Sequence, residues 1–372
     1  MMNTDEILFK RSKEIRSEFR KLRVAFVKQE IYQDLYTIGK SDNITEVLFS
    51  SSGRVGPIGL FTLPQIDFLI LEEEYDEECQ VYKTQTKKLN KTLPLLKYQT
   101  IQSLEGHGDR VPGSIYPNGF FAQKAADINW SQYDIVISIN ISIPKRIVRK
   151  HRKTFFCYMM GENEGTNFNP DYGYDATLVQ ETSKNKMSTK TIHFPYTFCD
   201  PYCIENILLG ALRRQPKKKG VYLEIKSYQK KSPDRVPSDF REKMVMISEE
   251  VNLHQELIAA NLEAVYDSKV YVKIAGQRIR GNGAVEAISA GTPVILDEKL
   301  IIHQEILGEK GRSRSLEDTV AIVREICESD RFRAEVLAEQ RSLVFESCYL
   351  EPLSRLLYAY KKTKRPFIQK FF

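Results

Sequence analysis

A Gly-Asn-Gly loop, followed by a glutamate, is the segment of this sequence best suited to bind a ligand. Gly281, Asn282 and Gly283 lead into residues 284–290, which have helical character. A helix N-terminus offers unpaired N–H groups and the positive end of the helix dipole, so it can hold a phosphate. Glu286 lies about one turn into this helix, within reach of such a ligand. The alternative is a simple helix cap, because Gly and Asn favour capping positions.

Basic residues near this loop are candidates for contacting the same phosphate. Lys226 follows the apolar run 221–225, Lys231 comes five residues later, and Arg278 lies three residues before the loop. Fixed cations stabilise negative charge that develops in a transition state. The alternative interpretation is that these side chains belong to polar loops and face solvent.

A second set of residues could transfer a proton. His107 and Asp109 lie in a glycine-flanked loop, and Glu162 follows the apolar run 154–159. Histidine titrates near neutral pH, which suits a general base. The sequence leaves other residues open as candidates. It also leaves open the interpretation that these residues belong to ordinary surface turns. The other choices are Glu164, Glu30, Asp34 and His303.

Apolar runs alternate with amphipathic ones along the whole chain, which predicts an α/β fold with parallel sheets. Ligands of such sheets bind beyond the carboxyl ends of the strands, where all the loops named above are expected. The predicted strands are 23–27, 67–72, 133–139, 154–159, 176–179, 221–225, 270–274 and 294–296. The predicted helices are 4–21, 118–128, 144–151, 202–213, 239–248, 284–290, 316–329, 330–345 and 350–362.

Composition limits the class of protein. A chain of 372 residues predicts two domains, and a net charge of +6 suits an anionic small substrate better than nucleic acid.

The N-terminus has no apolar signal core and no window reaches the length of a membrane span, so we expect a cytoplasmic protein. Peripheral contact of the basic tail with a membrane stays open. The six cysteines fit reduced thiols, and without a metal-ligand cluster or an Asp-x-Asp signature we expect no metal cofactor.

The segment Glu286–Ile295, EAISAGTPVI, resembles a segment in the donor domain of GT-B fold glycosyltransferases. The resemblance extends over about residues 256–345 and is only architectural before residue 200. It implies two Rossmann-like domains facing each other across a cleft, with a C-terminal helix that crosses back. The implied divisions are an acceptor domain at 1–197, a donor domain at 198–348, and a crossover helix with a basic tail at 349–372.

The resemblance also implies roles for the residues around the glycine-rich loop. In the family the glutamate of this segment binds the ribose hydroxyls of a nucleotide-diphosphate sugar, which corresponds to Glu286. The preceding loop holds the diphosphate, which corresponds to Gly281, Asn282 and Gly283. The sugar is passed to a hydroxyl of a glycan or lipid-linked acceptor, in polysaccharide, lipopolysaccharide or glycoconjugate synthesis.

Cations complete the implied site, with one departure from the family. Lys226 and Lys231 correspond to basic residues that neutralise the leaving nucleoside diphosphate without a metal. Arg278 stands where the family often has a second glutamate that contacts the donor sugar. This departure motivates one alternative, a non-catalytic nucleotide- or glycan-binding module on the same fold. The basic charge balance motivates another, a glycosyltransferase that modifies nucleic acid, although the small net charge disfavours it.

Overall fold

The computed structural model describes most of two parallel α/β units. The described residues are 4–29, 66–71, 120–123, 125–139, 143–159, 173–179, 190–193, 199–202, 205, 209, 212, 214–224, 238–253, 258–274, 282–297 and 304–364. The first compact unit consists of Phe9–Asp109, Gly113–Phe198 and Leu350–Phe372. The second consists of Cys199–Tyr349 together with Met1–Leu8 and Arg110–Pro112.

The first unit contains a seven-stranded parallel sheet. Its strands are β1 (Val24–Gln29), β2 (Ile66–Leu71), β3 (Phe120–Gln123), β4 (Ile135–Ile139), β5 (Phe155–Met159), β6 (Ala176–Val179) and β7 (Lys190–His193). Their spatial order, β3-β2-β1-β4-β5-β6-β7, reverses direction between β1 and β4. This order is that of a Rossmann sheet, and its reversal point is where such sheets bind ligands.

Helices and an apolar cluster cover the first sheet. Helix α1 (Thr4–Phe19) precedes β1, and helix α2 (Lys145–Lys150) joins β4 to β5. A buried cluster joins Ile147 of α2 to Trp130 and to the strand residues Val27, Val136 and Phe156. The strands are apolar on both faces because helices or loops cover the sheet on each side.

The prediction of a helix at residues 118–128 is wrong. Phe120–Gln123 forms strand β3 at the sheet edge, and only Ala125–Asp127 makes a short 3-10 turn. Phe120 pairs with Phe68 of β2 in parallel register. The aromatic pair Phe120–Phe121 favours a strand, and pairing with β2 outweighs the helix propensity of the alanines that follow.

The second unit contains a five-stranded parallel sheet with a different order. Its strands are β8 (Val221–Leu223), β9 (Val251–Leu253), β10 (Val270–Lys273), β11 (Val294–Asp297) and β12 (Arg312–Ser313). The order β12-β11-β10-β8-β9 is that of a flavodoxin-like sheet, which reverses between its first and third strands. In this unit the reversal point therefore lies between β8 and β10.

The helices of this unit whose bounds lie within the described residues pack by burying one apolar face. They are α3 (Ser238–Ser248), α4 (Ile258–Asp267), α5 (Asn282–Ser289), α6 (Leu316–Glu328) and α7 (Asp330–Val344). Phe240 and Met244 of α3, with Val323 of α6 and Val336 of α7, join the apolar cluster of the sheet. Serines cap both later helices: Ser315 Oγ accepts a hydrogen bond from the Asp318 N–H, and Ser329 Oγ accepts one from the Phe332 N–H.

The last helix, α8 (Glu351–Lys364), returns to the first unit, as the sequence predicted. The Tyr360 hydroxyl donates to Asp134 Oδ1 at 3.1 Å, and the Tyr360 ring meets the Phe155 ring edge-on. Lys361 Nζ lies 2.7 Å from Glu18 Oε2 on α1. Among the described helices, none has the length and apolar content needed to cross a bilayer.

Candidate functional site

Strands β8 and β10 end side by side at the reversal point of the second sheet. The backbone N–H of Glu224, just after β8, donates to the Val272 carbonyl of β10 at 3.0 Å. The next helix along the chain, α5, begins at Asn282 above these strand ends. A parallel sheet opens a crevice for ligands at such a reversal point, so this is where a site is expected on topology alone.

Four polar side chains lie on one face of β8 and β10. Tyr222 is the register partner of Tyr271, and the two rings stack with centroids 5.2 Å apart. One step further, Lys273 Nζ lies 3.4 Å from Glu224 Oε1, with the Lys273 side chain 0% exposed and that of Glu224 5% exposed. The alternate residues Val221 and Leu223 belong to the apolar cluster. Side chains alternate along a strand, so one face is apolar and the other is polar.

The start of α5 comes unusually close to this polar face at Gly283. A Cβ atom at Gly283 would lie 2.9 Å from the Tyr271 hydroxyl and 3.3 Å from Glu224 Oε2. Glycine is therefore required here by the close approach of helix and sheet. The Tyr271 side chain is buried, and among the described residues its hydroxyl has no hydrogen-bond partner. A buried hydroxyl without a partner is costly, so this oxygen is available to a ligand at the helix start.

Glu286 lies one turn into α5, half-buried, above the same polar face. Burial raises the pKa of the Tyr222 phenol, and the charges of Glu224 and Glu286 raise it further. The Tyr222 hydroxyl donates to Asn261 Oδ1 of α4 at 2.6 Å, which opposes that shift. Burial is the main cause that raises the pKa of the Cys199 thiol, and the negative charge of Glu286 raises it further. The site thus combines acidic and basic side chains that are largely buried.

The second half of the EAISAGTPVI segment has a structural role. Ala287 and Ala290 are fully buried, where larger side chains would not fit. Gly291 has φ of +80°, and a Cβ there would lie 2.6 Å from Glu205 Oε1. Thr292 Oγ1 donates to the Val265 carbonyl at 2.7 Å. These residues return the chain tightly to β11, so the ligand-binding potential of the segment rests on Gly283 and Glu286.

The structure brings together only part of the predicted site. Gly283 and Glu286 lie on the same helix at the reversal point, and Asn282 is the first residue of that helix. The remaining predicted residues lie outside the described residues. They are Lys226, Lys231, Arg278 and Gly281 of the donor site, and His107, Asp109 and Glu162 of the catalytic set.

The polar face beneath α5 was not predicted from the sequence. Glu224 and Lys273 each interrupt an otherwise apolar strand, VYLEI and VYVKI, at the same position of the run. Two opposite charges at matched positions of neighbouring buried strands must pair, since an isolated charge is rarely buried. This matched spacing is the signal that could have identified them.

Two parallel units with Rossmann-like and flavodoxin-like strand orders, and a last helix that returns to the first unit, give the chain a GT-B type α/β fold. No protein-family model and no functionally curated protein matches the sequence.

Several solved structures have a similar chain path. A DNA-modifying β-glucosyltransferase is 13% identical, with 92% of this chain and 100% of that chain covered at a TM-score of 0.42. Sucrose-phosphate synthase from Thermosynechococcus elongatus is 11% identical, with 91% of this chain and 99% of that chain covered at a TM-score of 0.43. An O-GlcNAc transferase from Thermobaculum terrenum is 10% identical, with 92% of this chain and 68% of that chain covered at a TM-score of 0.42.

Proposed function

We propose that this protein is a glycosyltransferase that takes a sugar from a nucleotide-diphosphate donor bound at the N-terminus of α5. The acceptor is a hydroxyl of a glycan or lipid-linked glycan, bound by the first unit. The observation that carries the proposal is the meeting of the α5 N-terminus, Glu286 and the polar face of β8 and β10 at the reversal point. The Tyr271 hydroxyl beneath Gly283, which has no hydrogen-bond partner in the described part of the chain, is a second, independent indication of a ligand there.

Each part of this arrangement suits one part of such a donor. The N–H groups at the start of α5 suit the diphosphate, since they combine hydrogen bonding with the positive end of the dipole. Glu286, one turn further, has the acceptor oxygens that ribose hydroxyls require. The Glu224–Lys273 pair carries no net charge and is buried, so we assign it a supporting role beneath the helix.

The proposed reaction is a substitution at the anomeric carbon of the sugar. The acceptor oxygen forms a bond to that carbon, and the bond from carbon to the diphosphate oxygen breaks. The acceptor proton passes to a base, for which we propose His107, Asp109 or Glu162. The leaving diphosphate takes the electron pair, and we propose that Lys226, Lys231 and Arg278 stabilise its charge in place of a metal.

A turnover assay on a panel of nucleotide sugars tests this proposal. Release of nucleoside diphosphate is measured for the wild type, with and without EDTA, and for His107→Ala, Asp109→Asn and Glu162→Gln. We expect release from one donor class, insensitive to EDTA. We also expect one of the three variants to lose at least about a hundredfold in rate, with donor binding unchanged.

The outcomes separate the proposal from its alternatives. Donor binding without turnover for every donor would identify a binding module instead of an enzyme. Loss of turnover in EDTA, restored by a divalent cation, would contradict the metal-independent mechanism. Retention of full activity in all three variants would show that the base lies elsewhere.

A further inference from the structure

The first unit contains a cavity that the proposed donor site does not use. Its volume is about 590 Å³, and Ile128, Asn129 and Trp130 form one side of it. The other side comes from α2 and its end, through Arg146, Lys150 and His151. A volume of this size is typical of cavities that bind small molecules.

The cavity lies at the edge of the sheet opposite the predicted catalytic loops. Residues 125–132 lead into the amino end of β4, and His151 precedes the amino end of β5. The loops that carry sugar-transfer chemistry in an α/β sheet follow the carboxyl ends. A ligand in this cavity would therefore be distinct from both donor and acceptor.

The basic side chains that line the cavity, Arg146, Lys150 and His151, belong to a segment rich in such residues. The segment 144–153, PKRIVRKHRK, has seven Lys, Arg or His side chains in ten residues. Arg146 and Lys150 are one helical turn apart, and both are exposed and line the cavity. Like charges at this spacing destabilise a helix. Within the described chain no carboxylate pairs with either residue.

The environment of His151 is consistent with this crowding. Burial lowers the pKa of His151, and the neighbouring Lys150 charge lowers it further. Its backbone N–H donates to the Ile147 carbonyl at 3.0 Å, which fixes the position of the residue at the end of α2. An anion in the cavity would relieve the repulsion between Arg146 and Lys150, and it would favour the charged form of His151.

The opposite wall of the cavity is rigid and mostly apolar. Trp130 is 1% exposed, its Nε1 donates to the Ala125 carbonyl at 2.8 Å, and its carbonyl accepts from Thr154 Oγ1 at 3.0 Å. Ile128 is buried beside it, and Ile147 is buried on the α2 side between the two cations. An apolar wall facing a cluster of cations fits a ligand with a compact organic part and an anionic end.

We propose that this cavity is a second binding site, which takes a small phosphate monoester such as a sugar phosphate. Arg146 and Lys150 bind the phosphate, and the apolar side chains of Ile128 and Trp130, with Ile147 of α2, contact the organic part. A phosphate group suits two cations one turn apart because its oxygens accept several charge-assisted hydrogen bonds. The free compound and a phosphodiester within a polymer share this chemistry, and the experiment separates them.

The only tryptophan of the chain, Trp130, lines the cavity and gives a local signal. Its emission is followed while glucose 6-phosphate, glucose, or a thymidine oligonucleotide is added. Wild type is compared with Arg146→Gln/Lys150→Gln and with a control, Arg149→Gln/Lys153→Gln. The control removes the same charge from exposed residues of the same segment that do not line the cavity.

We expect glucose 6-phosphate to change the emission and glucose to leave it unchanged. We also expect affinity to fall at least about tenfold in the cavity variant, and to stay within about twofold in the control. In the wild type the ligand should also raise the pKa of His151, measured by NMR. Removing repelling charges should not impair folding, and Lys150→Gln alone provides a milder variant.

Three results would overturn the proposal. One is unchanged emission with glucose 6-phosphate up to about 10 mM. Another is an equal loss of affinity in both double variants, which would indicate diffuse attraction by the whole basic segment. The third is a response to the oligonucleotide alone, which would assign the segment to a polymer. None of these results depends on the donor site, so the proposed function could stand or fail separately.

Discussion

At the scale of single residues, Gly283 is the most constrained position of the candidate donor site. Gly283→Ala would place a methyl group 2.9 Å from the Tyr271 hydroxyl. We expect this overpacking to lower the free energy of unfolding by about 1–3 kcal/mol. Urea unfolding of Gly283→Ala, Tyr271→Phe and the double variant measures the effect. Since Tyr271→Phe removes the obstructing oxygen, it should restore part of the loss. An additive double variant would contradict the predicted contact.

The buried pair of Glu224 and Lys273 gives a second prediction at this scale. Lys273→Met leaves the Glu224 carboxylate in the interior without its ion-pair partner, which should cost about 3–5 kcal/mol of unfolding free energy. Adding Glu224→Leu removes the remaining charge and should recover most of that cost. The comparison is made by chemical denaturation at neutral pH. If the double variant were as unstable as Lys273→Met, burial of an unpaired charge could not be the cause.

At the scale of secondary-structure elements, α8 is predicted to stabilise the first unit. Tyr360 is buried against Phe155 and bonded to Asp134, so Tyr360→Ala should cost about 3–5 kcal/mol. Tyr358 lies on the same helix but is 64% exposed, and Tyr358→Ala should change stability by less than about 0.5 kcal/mol. Calorimetric melting of both variants tests this. Equal effects would contradict the docking of α8 through Tyr360.

The sequence identified most of these elements because their patterns are local. The apolar runs at β1, β4, β5, β8 and β10 were evident, since buried parallel strands are nearly continuous apolar segments. Strand β3 was mistaken for a helix because its identity depends on pairing with β2, which no local pattern reveals. The short strands β9 and β12 were missed for a similar reason, being only three and two residues long.

The candidate site was predictable to a smaller extent than the fold. Gly283 and Glu286 were found because they belong to a continuous segment that begins a helix. Glu224 and Lys273 are 49 residues apart, and their pairing depends on β8 lying next to β10. Strand order in space is not written in any one stretch of sequence, so contacts of this kind require the structure.

At the scale of the whole molecule, the burial of Lys218 should make the free energy of unfolding depend on pH. Burial lowers the pKa of Lys218 to about 7, and its Nζ donates to the carbonyls of Tyr266 and Gly291 at 2.8 and 2.7 Å. In the unfolded chain a lysine titrates near 10.4. Above pH 7 Lys218 therefore holds more protons in the unfolded state than in the folded state, so the contribution of this residue to stability rises with pH.

The slope contributed by Lys218 should approach about 1.4 kcal/mol per pH unit. It is measured by urea unfolding between pH 7 and pH 9, below the range where tyrosines titrate. Lys218→Met should flatten this dependence. The proposed burial of a nearly neutral lysine would be wrong if wild type and variant had parallel profiles.

One titration tests most directly whether the second unit binds a nucleotide at the start of α5. Isothermal calorimetry with UDP, GDP, ADP and TDP is performed on the wild type, on Glu286→Ala, and on Glu325→Ala as a control for charge removal. Glu325 is exposed on α6. We predict that the wild type binds at least one of these nucleotides, and that Glu286→Ala weakens this binding by about tenfold to a hundredfold while Glu325→Ala has no effect. Absence of binding to the wild type, or equal binding by Glu286→Ala, would contradict a donor site at the start of α5.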